Sequence, residues 1–221
     1  YPAWMDKNIK HTTVQVNGGT YPAHAADVSP AMSVSMAVLA LADRKIDLCI
    51  SGINYGENIG SGVTISGTVG AAIEAACYDI PAIAVSLETL PEYHLSYSED
   101  VNFETAAHFA RYFAERVLVD GLPSNVDLLK IDVPTAATPE TAWQVGRISR
   151  QRYYEAVPNH TKTAADPKLP PYRTRVDVDT LEPDSDVYIL SIRQQVAVVP
   201  MTIDLTAPVS LPIVNHFFNG R

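Results

Sequence analysis

The sequence predicts an α/β protein whose core is a layered domain with a mainly parallel sheet. Apolar runs of strand length alternate along the first two thirds of the chain with segments of helical periodicity. A glycine-rich loop lies between one of these strands and the helix that follows it. This alternating order is typical of domains in which helices cover a parallel sheet.

The first predicted helix spans residues 29–42, where Ser29, followed by a proline, is a suitable N-cap. The apolar run over residues 46–53 is typical of a buried parallel strand. A helix of small residues is predicted over residues 69–78, and another strand over residues 82–87. Strand, loop, helix and strand form a βαβ unit, whose crossover we expect to be right-handed.

The next pair of elements continues the alternation. Residues 102–118 place apolar side chains along one helical face, and the apolar run over residues 126–133 ends at a proline. These elements close the first predicted part of the chain, an α/β core over residues 1–140.

The second predicted part, residues 141–221, has a different pattern. A stretch rich in basic residues and proline precedes an acidic block, and short β-type runs follow over residues 187–192 and 196–199. We predict β-hairpins and an extended C-terminal arm that complete the sheet of the core. The basic stretch is compatible with a substrate funnel, although a solvated or subunit-contacting face is the commoner meaning of such runs.

Composition limits the possible partners. The 221 residues include 25 acidic and 16 basic ones, giving a net charge of -9. An acidic chain is unsuited to nonspecific nucleic-acid or anionic-membrane binding, and its longest apolar stretch is too short to cross a bilayer. Cys49 and Cys77 lie in apolar runs without metal-ligand spacing, so we expect buried free thiols. With no signal-peptide pattern near Tyr1, they favour a cytoplasmic location.

The segment with the most chemical content is the glycine-rich loop. It carries four glycines between Asn54 and Thr68 and ends in Ser66 and Gly67 at a predicted helix start. Free N–H groups, hydroxyls and the helix dipole at such a start form an anion site. The spacing matches neither a P-loop nor the dinucleotide fingerprint GxGxxG.

A metal ion is the second inference from this loop. No Lys or Arg occurs between residues 46 and 110, so a phosphate bound there would have no cation from that segment. We therefore expect a divalent metal to balance the charge, with Asn54 as a neutral oxygen ligand. The alternative is that the glycines only form turns and that Asn54 occupies a left-handed loop position.

The run SGINYGENIGSGVTISGTVGAAIEAACYDIPAIAVSL, residues 51–87, closely resembles the SurE family of stationary-phase survival proteins. The resemblance implies a divalent-metal-dependent nucleotidase, with Mg²⁺ or Mn²⁺, acting on nucleoside 5'- and 3'-monophosphates and other phosphomonoesters. It assigns Asn54 to the metal. It places the remaining site residues around the bound phosphate, and these are Asn58, Ser66, Gly67 and Thr68.

The resemblance also implies a Rossmann-like, three-layer core with a hairpin and C-terminal arm exchanged between subunits of a homodimer or homotetramer. Two weaker matches, LLKIDVP and VAVVPMTIDLT, support it further along the chain. In the first of these, Lys130 and Asp132 replace the usual asparagines.

The family's Asn-Asp-Asp-Gly metal motif does not occur in the chain. We expect it upstream of Tyr1, the alternative being a degenerate member of the family, and the catalytic residues therefore stay unassigned. Two other functions stay open: a nucleotide- or phosphate-binding module without catalysis and, with less support, a dimerisation protein that keeps only the fold. Tyr153, Tyr154 and Tyr172 could stack on a nucleobase, with packing at a subunit contact as the alternative.

Overall fold

The computed structural model describes residues 9–94, 98–157 and 171–220. Its α-helices are α1 (Pro30–Met36), α2 (Gly67–Ala76), α3 (Glu104–Asp120) and α4 (Leu211–Asn219). The strands are β1 (Lys10–Val16), β2 (Gly19–Ala25), β3 (Cys49–Tyr55), β4 (Ala82–Leu87), β5 (Leu128–Val133), β6 (Trp143–Val145), β7 (Tyr154–Ala156), β8 (Tyr172–Thr174) and β9 (Val196–Met201). Short 3₁₀ turns span Gly60–Ile65 and Pro91–Tyr93, and π-helical turns span Ala37–Leu41 and Tyr188–Ile192.

A five-stranded sheet forms the centre of the protein, in the order β3-β4-β5-β9-β6. The pairs β3/β4, β4/β5 and β6/β9 are parallel, and only β5 and β9 pair antiparallel within this sheet. The predicted mainly parallel α/β class is therefore confirmed. Strands from both sides of residue 140 share the sheet, and the division into two parts stays a prediction.

Helices cover both faces of the sheet, as alternation along β4 requires. Ile83, Val85 and Leu87 pack with buried side chains of α3 in one cluster. Ala82 and Ala84 point to the other face and pack with α2 in a second cluster. Because successive side chains of a strand point to opposite faces, one apolar run serves both layers.

Serine caps start two helices of the core. The Ser29 hydroxyl accepts a hydrogen bond from the Met32 N–H at 3.3 Å, and the Ser66 hydroxyl accepts one from the Val69 N–H at 3.1 Å. Each bond satisfies one of the N–H groups that a helix leaves free at its first turn. The predicted N-cap at Ser29 is confirmed, and α1 continues as the π-helical turn Ala37–Leu41.

The predicted β-type run over residues 187–192 is wrong, because a helical turn occupies it. The Ser185 carbonyl accepts a hydrogen bond from the Ile189 N–H at 2.9 Å, and the Ser185 hydroxyl accepts one from the Tyr188 N–H at 3.3 Å. Val187 and Leu190 are buried in one cluster. A short apolar run fits either a buried strand or a buried helical turn, and the run alone does not distinguish them.

Two hairpins project from the core. β1 and β2 pair antiparallel through a turn in which Asn17 and Gly18 have φ values of 49° and 80°. Asn-Gly between alternating segments is a strong hairpin signal in the sequence, although this hairpin was not among the predicted elements. The second hairpin pairs β7 with β8, and residues 158–170 between them lie outside the described residues.

The C-terminal arm follows β9 and ends in a helix, α4, that the predicted extended arm did not include. Proline lies in the first turn of α4, where it is compatible with a helix. In the described part of the chain no helix is long and apolar enough to cross a membrane. Cys49 is partly buried, whereas Cys77 is exposed, so the expectation of a buried thiol is wrong for Cys77.

Gly52→Ala is expected to destabilise the protein by roughly 2 kcal/mol or more. Gly52 has a φ of +122°, and an added Cβ would overlap the Val85 carbonyl oxygen on the neighbouring strand. Gly70→Ala is the matched control, because a Cβ at Gly70 in α2 meets nothing within 4 Å and alanine favours a helix. Urea unfolding monitored by circular dichroism measures both free energies, and equal stability of the two variants would contradict the prediction.

Candidate functional site

A row of polar side chains crosses the carboxyl ends of three parallel strands. Asn54 on β3 lies opposite Ser86 on β4, and Ser86 lies opposite Asp132 on β5. Ser86 and Asp132 are fully buried. Ligands of open α/β sheets bind at this edge, because the loops that follow the strands leave a crevice there.

Asn58 joins the glycine loop to this row. Its backbone N–H donates a hydrogen bond to Asp132 Oδ1 at 2.7 Å, and its side-chain Nδ2 donates one to Ser86 Oγ at 2.8 Å. Two strands therefore hold the loop at this residue. The structure brings Asn58 to the edge where Asn54 lies, in agreement with the sequence assignment of both to one site.

The Asn54 side chain is oriented by the loop itself. Its Nδ2 donates to the carbonyl oxygens of Tyr55 at 3.1 Å and Gly56 at 2.7 Å. Both bonds use the nitrogen, so the carbonyl Oδ1 is the atom that remains for a ligand. Gly56 has a φ of +96°, and a side chain there would collide with the ring of His94, so the turn that orients Asn54 requires glycine.

The start of α2 lies at the same edge of the sheet. Ser66 caps the helix, whereas the N–H groups of Gly67 and Thr68 have no acceptor among the described residues. Gly67 is exposed and Thr68 partly so, so both N–H groups can reach an anion. Packing also accounts for Gly67, since an added Cβ would lie 3.0 Å from Cγ of Pro30. These residues share no described hydrogen bond with Asn54 or Asn58.

A buried lysine lies beneath the loop, although residues 46–110 of the chain contain no Lys or Arg. The Lys130 side chain is 0% exposed, with Nζ 2.5 Å from Asp132 Oδ2 and 3.1 Å from Asp186 Oδ2. Burial acts to lower the pKa of Lys130, but the attraction of the two carboxylates outweighs it and raises the pKa above its ordinary value. Lys130 is therefore charged and already paired, so it offers no free cation to a phosphate.

Glu57 forms a second buried polar group, on the side of the β7/β8 hairpin. The Tyr154 hydroxyl donates a hydrogen bond to Glu57 Oε1 at 2.5 Å, while Oε2 is buried without a partner among the described residues. Burial raises the pKa of Glu57, and the hydrogen bond from Tyr154 opposes this shift only in part.

His94 and Tyr172 extend this group towards the surface. The two rings stack with centroids 5.8 Å apart, and the Tyr172 hydroxyl lies 2.7 Å from Nδ1 of His94. Nε2 of His94 lies 3.2 Å from the Thr89 carbonyl oxygen, so Nε2 carries the proton and Nδ1 accepts the hydrogen bond of Tyr172. Burial lowers the pKa of His94. Of the three tyrosines considered for base stacking, Tyr153 is 6% exposed and packs in a core cluster.

The donor chemistry at Asn54 suits a hard divalent cation, because an amide oxygen is a ligand that Mg²⁺, Mn²⁺ and Ca²⁺ accept. Among residues 9–94, 98–157 and 171–220, no group of three or more His, Cys, Asp or Glu side chains is placed to hold a metal. Asn54 thus fits one position of a metal site.

Comparison with known proteins identifies the family. The model of the family described as survival protein SurE matches residues 3–155. The chain belongs to the SurE family. The 5'-nucleotidase SurE of Thermococcus kodakarensis is 40% identical over 208 residues, which are 93% of this chain and 78% of that protein. The 5'-nucleotidase SurE of Archaeoglobus fulgidus is 36% identical over 214 residues, covering 96% of this chain and 79% of that protein.

A solved structure supports the fold of this SurE-family chain. The crystal structure of the SurE protein from Aquifex aeolicus superposes with a TM-score of 0.68, covering 95% of this chain and 80% of that one. Its sequence identity is 23%, so this likeness concerns the fold alone.

Some residues of the site were not predicted from the sequence of this SurE-family chain. Ser86 was assigned only to a strand, and Lys130 and Asp132 were noted only as departures from the family pattern. A charged pair at alternate positions of an apolar strand, as in Leu-Leu-Lys-Ile-Asp-Val, is a signal that could have found them. Buried charges are rare unless they are paired, so such a pattern marks a buried ionic group.

Glu57→Gln is expected to stabilise the protein increasingly as the pH rises above 4.5 and through the folded-state pKa of Glu57. The raised pKa of Glu57 means that its stabilising contribution is present below the ordinary value of 4.5 and is lost as the pH rises through the folded-state pKa. Glutamine keeps the acceptor for Tyr154 and does not titrate. The difference in the free energy of unfolding between variant and wild type, from urea denaturation at each pH, should therefore grow.

Glu92→Gln, at an exposed position, is the control and should show a difference that does not change with pH. A Glu57→Gln difference that is flat or that shrinks with rising pH would contradict the assignment of a buried, destabilising charge to Glu57.

Proposed function

We propose that this protein is a phosphomonoesterase that hydrolyses nucleoside 5'- and 3'-monophosphates to nucleoside and phosphate with a divalent metal ion. The observation that supports it most is the edge of the sheet where Asn54, Asn58 and the open start of α2 occur together. The side chains of Asn54 and Asn58 lie along the polar row there, and the N–H groups of Gly67 and Thr68 have no acceptor among the described residues. Family membership, with relatives named 5'-nucleotidase SurE, adds the reaction and the substrate class.

Several backbone and side-chain groups of this protein bind the phosphate in this proposal. The N–H groups of Gly67 and Thr68, with the hydroxyls of Ser66 and Thr68, bind the phosphoryl oxygens and stabilise the charge that develops on them. Asn58, held by β4 and β5, borders the same phosphate. These groups are fixed before the substrate arrives, so little reorganisation is needed during the reaction.

Asn54 binds the metal ion through Oδ1 in this proposal, and Mg²⁺ or Mn²⁺ is the expected ion. When bound, the metal supplies positive charge that polarises the phosphoryl group and lowers the pKa of a bound water. A metal is needed to neutralise the phosphate because the ammonium of Lys130 is already paired with two carboxylates.

Asn54→Ala is expected to lower kcat/KM for adenosine monophosphate about 100-fold, a loss typical of removing one directly acting group. The measurement is phosphate release by the full gene product with Mn²⁺ or Mg²⁺, before and after chelation. Mn²⁺ binding followed by calorimetry gives a readout independent of turnover, and it should weaken in the same variant.

Asn125→Gly is the matched control, because it removes an exposed amide at the opposite end of β5 and leaves glycine at a φ of 62°. It should keep wild-type activity. If the wild-type protein binds adenosine monophosphate but releases no phosphate, the enzyme proposal would be wrong and the protein would be a phosphate-binding module. Unchanged Mn²⁺ binding in Asn54→Ala would show that Asn54 is not a metal ligand.

We also propose that the protein is a homodimer or homotetramer that uses its C-terminal arm. α4 exposes several large apolar side chains, and a monomer rarely leaves such a surface in water. The most exposed of them, with their exposed fractions, are Leu211 at 64%, Ile213 at 69%, Phe217 at 78% and Phe218 at 74%. A second copy of the chain is the partner proposed for this surface, which is an arm held away from the body of its own subunit.

Replacing Phe217 and Phe218 by Ser together is expected to convert the oligomer to a monomer, because it removes two aromatic anchors from the contact. Light scattering coupled to size-exclusion chromatography measures the mass. Val119→Ser, at a residue that is 82% exposed at the end of α3, is the control and should leave the mass unchanged. A wild-type protein that is monomeric at micromolar concentration would contradict the proposal.

We propose a cytoplasmic location as well, supported by the two free cysteines, since unpaired thiols persist in a reducing compartment. Fractionation of cells that express the natural gene would test it.

A further inference from the structure

We propose that Lys130 is a positioning residue for the phosphate-binding loop. It holds together two carboxylates, Asp132 and Asp186, which fix the backbone of Asn58 and Gly60. The inference rests on the proposed function, in which Asn58 borders the substrate phosphate, and it adds a determinant of substrate affinity that lies one layer below the site.

The geometry of this buried triad is the first argument. All three side chains are 0% exposed, and the Lys130 ammonium bridges Oδ2 of Asp132 at 2.5 Å and Oδ2 of Asp186 at 3.1 Å. A buried ion pair contributes only if its geometry is good and its remaining lone pairs are satisfied. Here they are satisfied by backbone N–H groups.

Of the described backbone N–H groups that donate to these carboxylates, those of Asn58 and Gly60 belong to the loop, and those of Ser149 and Val187 lie outside it. Asp132 Oδ1 accepts the Asn58 N–H at 2.7 Å, and Asp186 Oδ2 accepts the Gly60 N–H at 3.1 Å. Asp186 Oδ1 also accepts the Ser149 N–H at 2.9 Å. One ammonium therefore couples β5 and the segment before the π-helical turn Tyr188–Ile192 to two positions of the loop.

Charge is the second argument. Without Lys130, two carboxylates would be buried side by side beneath a site that receives a phosphate dianion. They would repel each other and the ligand in a region of low dielectric. With Lys130 present, they can accept strong, charge-assisted hydrogen bonds from the loop at a smaller electrostatic penalty.

Two substitutions can separate the role of charge from the role of packing. A pair of asparagines at the positions of Lys130 and Asp132 can accept the same N–H without charge. Lys130→Asn combined with Asp132→Asn removes one positive and one negative charge, so the formal charge of the group is unchanged. Asp132→Asn alone leaves an amide facing the ammonium, which competes with Asn58 for the one amide oxygen.

The experiment compares Asp132→Asn, the double variant and the wild type as the full gene product. Three quantities are measured: KM and kcat for adenosine monophosphate, inhibition by inorganic phosphate, and amide hydrogen exchange at Asn58 and Gly60. Asp127→Asn is the matched control, since Asp127 accepts bonds from Thr202 and Ile203 beyond the far end of β5.

Asp132→Asn is expected to raise KM and the phosphate inhibition constant about tenfold, with kcat changed by less than about threefold. Exchange at Asn58 should accelerate about tenfold. The double variant should return KM and exchange to within about threefold of the wild type, and Asp127→Asn should lower stability without moving either quantity.

Asp132→Asn that lowers the melting temperature but matches Asp127→Asn in KM, phosphate inhibition and exchange would overturn the inference, because the triad would then be structural only. If Asp132→Asn does not fold, Lys130→Gln decides, because glutamine keeps a donor to the carboxylates but removes the positive charge. A raised KM with fast exchange at Asn58 in that variant supports the inference, and wild-type KM and exchange overturn it. If the wild type releases no phosphate from any phosphomonoester, the proposed function fails, whereas exchange at Asn58 and Gly60 still tests the positioning.

Discussion

The ammonium of Lys130, buried between two carboxylates, is the interaction on which the arrangement of the site depends. An isolated buried charge costs several kcal/mol, so the neighbouring carboxylates of Asp132 and Asp186 would not both be stable as anions in this layer without it. Each carboxylate in turn accepts a hydrogen bond from a backbone N–H of the glycine loop. The backbone of the loop that carries Asn58 is therefore held by the buried layer beneath it.

The sheet supplies the second condition, which is register. β3, β4 and β5 are parallel and end at one edge, so residues at matching positions meet there even though they are far apart in the chain. Alternation sends Leu128, Lys130 and Asp132 to the face of α2, and Ile131 and Val133 to the core beneath α3. The same strand thus contributes to the apolar core and to the polar layer beneath the site. A crossover helix that starts at this edge brings its free N–H groups to the same place.

The two polar groups on either side of the loop differ in electrostatics. Around Lys130 the charges are paired and the N–H groups are satisfied, which makes a rigid support. Around Glu57 one carboxylate oxygen is buried without a partner among the described residues, and aromatic rings surround the group. Burial raises the pKa of Glu57, so its ionised form lowers the free energy of unfolding. The loop therefore has a charge-paired buried group on one side and a buried, incompletely paired carboxylate on the other.

Local sequence determined the elements whose signals are local: the N-cap at Ser29, the buried strand over residues 82–87 and the glycine loop that marks the site. Hydrogen bonding between near neighbours and periodicity of apolar residues suffice for these. The sequence signal for the hairpin turn at Asn17 and Gly18 was equally local. Only the tertiary structure decided that a lysine outside the loop segment lies beneath it, and that residues 188–192 form a helical turn. The reason is physical, since pairing of a buried charge depends on which strands become neighbours, and a short apolar run has no intrinsic preference strong enough to resist its surroundings.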